Sequence, residues 1–268
     1  MLLQRAVNFI NSRPTLRHAA MSALVARKVA YTWLDRERDR DKLMVNIGGG
    51  EYFRRHWKVL DHVSEGYRHA GGSIDYPFDL WTDQPFPFAT GTVAMFFCSH
   101  TLEHIPGEHC QHILDEMHRC LRPGGATRIT MPDFDLGYAA YRDGDIDFFV
   151  KYDGDTIEDR FLEFFATHQR SEKTPAEVRA AFETLSQEAF ADALTESIPR
   201  QSQRECCNNH INWWTYDKLS RMLRQAGFDR VYRSQPQGSR FAEMRGLGRQ
   251  TGFDSTHPEL SLFVEAIR

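Results

Sequence analysis

Apolar positions in this chain follow two different periods, and the change falls near residue 136. Before it, short all-apolar runs alternate with polar segments. Leu43 to Ile47 ends at Gly48-Gly49-Gly50, the pattern of a buried strand feeding a glycine turn. Lys58-Val59-Leu60-Asp61 reads as a second short strand with an acid at its end. Val93 to Cys98 is apolar throughout, as a central strand covered on both faces should be. Cys110, Ile113, Leu114, Met117 and Leu121 then recur at helical spacing and predict a helix over Pro106 to Leu121. Arg122-Pro123-Gly124-Gly125 closes it, and Ala126 to Met131 predicts another strand, stopped at Pro132-Asp133.

Residues 136–212 carry no strand pattern. They contain Thr174-Pro175-Ala176-Glu177, a capping box with proline at the first helical position, followed by Val178, Ala181, Phe182 and Leu185 on one helical face. Thr215 caps a further amphipathic helix (Leu219, Met222, Leu223, Ala226) closed by Gly227. Phe228 to Arg233 and Leu260 to Ile267 are the last two predicted strands. This order predicts an α/β fold with a doubly wound, mostly parallel sheet. The expected division is a core of 43–135 plus 213–268, a helical insertion over 136–212, and an N-terminal helical extension over 1–42.

The composition, 41% apolar and 26% charged over 268 residues, is that of a globular chain. A net charge of -4 gives no reason to expect a nucleic-acid partner. Charge is unevenly spread. Residues 1–34 hold Arg5, Arg13, Arg17, Arg27 and Lys28 with no acid, while 136–212 holds fifteen Asp and Glu against eight Arg and Lys. The basic start fits either a helix docked on the core or an amphipathic contact with anionic lipid or a partner. No run of eighteen apolar residues exists, and Arg5 interrupts what would be a signal-peptide core, so a cytoplasmic location is expected. Five cysteines without a C-x-x-C pair suit reduced thiols.

In an open parallel sheet, ligands bind beyond the carboxyl ends of the strands, near the point where strand order reverses. Gly48 to Gly50, Asp61, Asp79 and Ser99-His100 all fall at such ends. Taken singly, the glycines fit any tight strand exit, and Asp61 could merely cap a turn. His100-Thr101-Leu102-Glu103-His104 spells H-x-x-E-H, a zinc pattern when carried on one helix. Here His100 closes a strand and Pro106-Gly107 follows at once, so no metal is expected. His109, His112 and His118 read as solvated helix residues.

Together the segments Val45-Asn46-Ile47-Gly48-Gly49-Gly50, Val59-Leu60-Asp61, Phe78-Asp79-Leu80, Ser99-His100-Thr101-Leu102-Glu103-His104 and Leu121-Arg122-Pro123-Gly124-Gly125, with Gly227-Phe228, resemble class I S-adenosylmethionine-dependent methyltransferases. The likeness is to a bacterial branch with a short first loop, an SHxLEH segment and an RPGG turn. It implies a Rossmann-like seven-stranded sheet and S-adenosyl-L-methionine as cofactor. Asn46, Gly48, Gly49 and Gly50 would then line the methionine and ribose side, Asp61 would hold the ribose hydroxyls, and Asp79-Leu80 would sit at the adenine. Ser99 and His100 would lie beside the sulfonium. The sequence departs from the family at Asn46, where many relatives have an acid, at Tyr52 in place of a third glycine, and at Ala94 in place of the usual Asp. His100, His104 and His210 are the candidate bases, although His104 could equally be a packed residue and His210 could pack against Trp213 or Trp214. The resemblance further implies O-methylation of a small hydroxyl acceptor such as a sugar or glycan, with 136–212 as a lid. Two alternatives remain: a non-catalytic scaffold or partner subunit on the same fold, and a nicotinamide-dependent oxidoreductase. For the latter, Phe53 stands where the fingerprint wants glycine and Asp61 comes too early.

Overall fold

The computed structural model describes residues 41–49, 56–63, 74–169, 172–195, 204, 209–245, 255 and 257–268. The N-terminal helical extension expected over 1–42 falls almost wholly outside these residues, as does Gly50. Seven strands form one sheet: β1 (Met44–Ile47), β2 (Trp57–Asp61), β3 (Tyr76–Pro77), β4 (Val93–Ser99), β5 (Leu121–Pro132), β6 (Arg230–Arg233) and β7 (Ser261–Ile267). Their order is β3-β2-β1-β4-β5-β7-β6, with β7 antiparallel to both neighbours and the other pairs parallel. The chain therefore winds outward from β1, returns to β4 and winds the other way. The β1–β4 junction is the switch point, where a crevice opens at the carboxyl ends.

Residue alternation explains why β4 is apolar throughout. Phe96 and Cys98 enter one core with Val45, Ile47, Leu60 and Ile129. Met95 and Phe97 face the opposite side with Met44, Trp57 and Met244. Helix α1 (Gly107–Cys120) places Cys110, Ile113, Leu114 and Met117 on the first core, as its spacing predicts. The helices α2 (Phe134–Arg142), α3 (Ile157–Phe165), α4 (Pro175–Thr184) and α5 (Gln187–Thr195) build a separate aromatic core of Phe134, Phe149, Phe161, Phe164, Phe165 and Phe190. Thr174 and Glu177 make both halves of the capping box that starts α4. Thr215 caps α6 (Tyr216–Gln225), and Gly227 follows at φ 103°.

Two elements differ from expectation. β5 begins at Leu121, five residues earlier than its apolar run suggests. The RPGG segment ends the helix and also pairs as strand: Gly124 N–H donates to Arg268 (2.9 Å), whose own N–H donates to Gly125 (3.0 Å). Gly124 at φ 74° and a register shift opposite Val93–Met95 absorb the irregularity. β3 has only two residues, one of them proline, which only an edge strand tolerates. The Asp75 carboxylate holds it by accepting from Val59 N–H (2.9 Å) and Lys58 Nζ (2.7 Å).

The sheet also buries an ion pair. Arg128 on β5 and Glu265 on β7 are register partners, both fully buried, at 2.8 Å. Arg128 donates further to Ser234 Oγ and to the Gln235 carbonyl, while Tyr232 Oη donates to the second oxygen of Glu265. Removing one partner strands the other charge in the core. Arg128→Met is therefore expected to cost about 3–5 kcal/mol in urea denaturation, with the double variant Arg128→Met/Glu265→Met losing less than the sum of the single losses. Additive losses would show that the pair is not coupled.

Candidate active site

The exit of β4 carries the chemistry. His100 follows Ser99 in the left-handed region at φ 49°, an uncommon backbone state for a residue with a side chain. Its N–H donates to the Thr130 carbonyl (2.8 Å), and Ser99 Oγ shares a hydrogen bond with Thr130 Oγ1 (2.8 Å), so β5 fixes the bend. Thr101 Oγ1 donates to the Ile47 carbonyl (3.3 Å), tying the bend to the exit of β1. Residues Leu102–His104 then make one 3-10 turn before α1.

Glu103 is 1% exposed within this turn. Its backbone carbonyl accepts from the N–H groups of Ile211 (2.8 Å) and Asn212 (3.1 Å), the point at which the helical segment rejoins the core. Its Oε1 lies 2.9 Å from His100 Nδ1, whose ring meets Ser255 Oγ through Nε2 at 2.7 Å. Burial alone would raise this carboxyl. The hydrogen bond from His100 and the fields of His100, His104 and His210 outweigh burial and hold it at about 2.

His104 and His210 meet edge to face, 4.9 Å between ring centroids. His104 Nδ1 donates to the Asn209 carbonyl (3.0 Å) and His210 Nδ1 to the Phe164 carbonyl (2.6 Å). A carbonyl can only accept, so each ring carries its proton on Nδ1 and its lone pair on Nε2 in the neutral form. Burial, reinforced by neighbouring His104, pushes His210 down to about 4 and keeps it neutral at pH 7. Of the three candidate bases, His104 and His210 are thus brought together, ring against ring. His100 has both nitrogens engaged and positions Glu103. Glu103 and Thr101, which sequence reasoning did not single out as site residues, prove central. The signal for Glu103 was the H-x-x-E-H spelling itself.

Other expected residues line the same edge. Asn46 is buried at the switch-point side of β1, and Asp61 is buried at the end of β2 with Oδ1 accepting the His62 N–H (2.7 Å). Gly48 sits at φ 64°, and a Cβ there would lie 2.2 Å from Thr101 Oγ1; one on Gly49 would lie 2.5 Å from Val59. The neighbouring side chains, rather than an open approach, therefore account for both glycines. Asp79 accepts from Trp81 N–H (2.9 Å) and from Arg204 (2.9 Å), whose guanidinium stacks 4.6 Å from the Trp81 ring. Burial opposes its ionisation, but the Trp81 amide and Arg204 hold it below the usual carboxylate range. Leu80 beside it is buried. His109 and His112 instead bond outward, to Asp83 and the Gln84 carbonyl.

Adenosine bearing a cationic sulfur needs acids for its ribose hydroxyls and no phosphate cradle. Asp61 at the end of β2 is an acid of that kind, and Asn46 lies beside it on β1, between β2 and β4. S-adenosylmethionine would supply an electrophilic methyl at the β1–β4 crevice.

Residues 80–129 match the family model described as a methyltransferase domain. No curated protein sequence matches the chain. Similar solved structures include a Thermotoga maritima protein described as a SAM-dependent methyltransferase, possibly histamine N-methyltransferase (13% identity, TM-score 0.42, covering 84% of this chain and 81% of that one). A Mesorhizobium loti S-adenosylmethionine-dependent methyltransferase shows 13% identity and TM-score 0.42 over 92% and 96%. Human N-acetylserotonin methyltransferase, solved with SAM, shows 13% identity and TM-score 0.39 over 97% of this chain and 57% of its own. Residues 80–129 are thus similar to a methyltransferase domain, and they lie within a sheet that has the doubly wound, Rossmann-like order. No helix among the described residues is long and apolar enough to cross a membrane.

Asp133 is buried directly after the end of β5. It caps α2 by accepting Asp135 N–H (3.2 Å) and pairs with Arg233 (3.1 Å), yet burial pushes it up to about 6 against that cation. The folded value exceeds the ordinary 3.8, so the folded state binds the extra proton. That stabilisation is present below about pH 4 and is lost as pH rises through 6, roughly 2–3 kcal/mol in all. Asp133→Asn keeps the cap but cannot titrate. Urea denaturation at pH 4 and pH 7 is expected to show a smaller loss of stability in the variant by roughly 2 kcal/mol; an identical pH dependence would contradict the shift.

Proposed function

We propose that this chain transfers a methyl group from S-adenosyl-L-methionine to a hydroxyl oxygen of a small acceptor, a sugar or glycan. The observation that carries this reading is the meeting of Glu103 and His104 on the β4 exit, which Thr101 ties directly to β1, with His210 of the returning segment. Two imidazoles whose Nδ1–H groups are taken by backbone carbonyls, beside a buried carboxylate, suit an acceptor that must lose a proton as its new bond forms. An amine acceptor that is already neutral would need no such group. The net charge of -7 on 136–212 disfavours a polyphosphate acceptor and is compatible with a neutral one.

In this reading Asp61 holds the ribose hydroxyls and Asp79-Leu80 borders the adenine. Asn46, Gly48 and Gly49 shape the methionine side, with Ser99 and His100 next to the sulfur. His104 and His210 receive the acceptor, and His100 orients Glu103. Residues 136–212 act as a wall over the acceptor. What supports that role is their reach: His210 meets His104, and Arg204 meets Asp79. The buried, unpaired thiols of Cys98, Cys110 and Cys120 suit a reducing cytoplasm. Positioning a nucleophile in line with the methyl group supplies much of the rate in such transfers.

Calorimetry on the intact chain is expected to show saturable S-adenosylmethionine binding, at least tenfold weaker in Asp61→Ala with the fold retained. Labelled methyl offered with panels of monosaccharides and glycans is expected in an alkali-stable ether. Label in a base-labile ester or in an amine would sink the O-methylation reading. His104→Ala is expected to lower turnover about 100-fold with cofactor affinity unchanged.

A further inference from the structure

We infer that Glu103, His104 and His210 bind a divalent first-row transition cation, of the zinc and cobalt class, at the acceptor side of the cleft. One ligating atom from each lies within 4.8 Å of the other two. The carboxylate supplies the stronger argument. Glu103 is buried, its Oε1 is taken by His100 Nδ1, and its Oε2 is buried with no hydrogen-bond partner. An ionised oxygen in that position is costly unless a positive charge faces it.

The two histidines are set up as ligands. Backbone carbonyls of Asn209 and Phe164 take Nδ1–H of His104 and His210, which fixes each tautomer with Nε2 unprotonated. Ligating histidines in metal sites are commonly held in this way, by a hydrogen bond on the other nitrogen. The carboxylate is braced likewise, from His100 and through it from Ser255. Two imidazoles and one carboxylate favour zinc, cobalt or iron over magnesium or calcium. Three protein ligands also leave a fourth position for water or for an oxygen of the acceptor. Glu103 is buried, whereas His104 and His210 are half-buried, so the set keeps partial access to solvent.

The consequence for the acceptor rests on the O-methylation reading. With the ion bound, the Nε2 lone pairs of His104 and His210 are ligands in place of bases, and a hydroxyl held by the ion would give up its proton to water more readily. The ion-binding claim does not need that reading.

The test is cobalt titration of the full chain after chelator treatment. The expected result is intense visible d–d absorption saturating at one equivalent, erased by zinc. Glu103→Gln and His210→Ala are expected to weaken cobalt binding at least tenfold. Because Glu103→Gln could disturb the turn, His104→Ala is the second check, with the same loss expected. His109→Ala/His112→Ala, which removes two half-buried histidines of α1 that bond to Asp83 and Gln84, should leave the titration unchanged. No saturable band in the wild-type chain would overturn the inference, leaving a plain histidine–carboxylate pair, as would equal binding in the cleft variants. Parallel calorimetry with S-adenosylmethionine separates the two claims: cofactor binding without cobalt binding removes the ion alone, and cobalt binding without cofactor binding removes the transferase reading.

Discussion

A buried carboxylate on a single turn joins the two halves of this molecule. Glu103 receives His100 on its side chain and two N–H groups of the returning segment on its backbone. Three structures therefore meet there: the β4 exit, the turn into α1, and the chain coming back from the helical segment. The left-handed backbone of His100 is the bend that makes this possible, because it turns the chain back so that His100 and Glu103 face each other within one turn. Strain of this kind persists only where surrounding bonds over-determine it. Here the Thr130 carbonyl, Ser255 and Glu103 all hold His100.

The returning segment is anchored with equal economy. Asn212 donates to the Ile105 carbonyl (3.3 Å) and accepts from Lys218 Nζ (3.0 Å), which also donates to the Trp213 carbonyl and lies 3.8 Å above the Trp213 ring. Burial lowers Lys218 to about 8, so this cation is held by dipoles and an aromatic face rather than by a carboxylate. Trp213 belongs to the aromatic core and Trp214 to the sheet core. Adjacent tryptophans pointing into two cores rivet the helices to the sheet, which gives His210, three residues earlier, a fixed place opposite His104.

What was legible in the sequence follows from how local its cause is. The strands β1, β2 and β4 and helix α1 announce themselves because continuous apolar runs and 3.6-residue spacing are properties of the segment alone. The capping box at Thr174 and the cap at Thr215 are equally local. β3 was not legible, since two residues of edge strand depend on an Asp75 carboxylate reaching back to β2. The early start of β5 depends on the C-terminal Arg268 pairing with Gly124 and Gly125, a contact across more than 140 residues. Arg128 and Glu265 read as misplaced charges in two apolar strands until the register sets them side by side.

The site divides in the same way. The acids and glycines at strand ends could be read from order, because the switch point is a consequence of topology. The reason for the glycines could not: Gly48 and Gly49 are small because Thr101 and Val59 fill their Cβ positions. H-x-x-E-H misleads when it is read as a helix face, since His100 and His104 do not share one. The 3-10 turn instead separates their tasks. His100 braces the acid from the sheet side, and His104 turns to the cleft, where its partner is His210 from a distant segment. A spacing rule tests whether residues can meet on one element. It is silent when a bend disperses a motif and a second segment completes it.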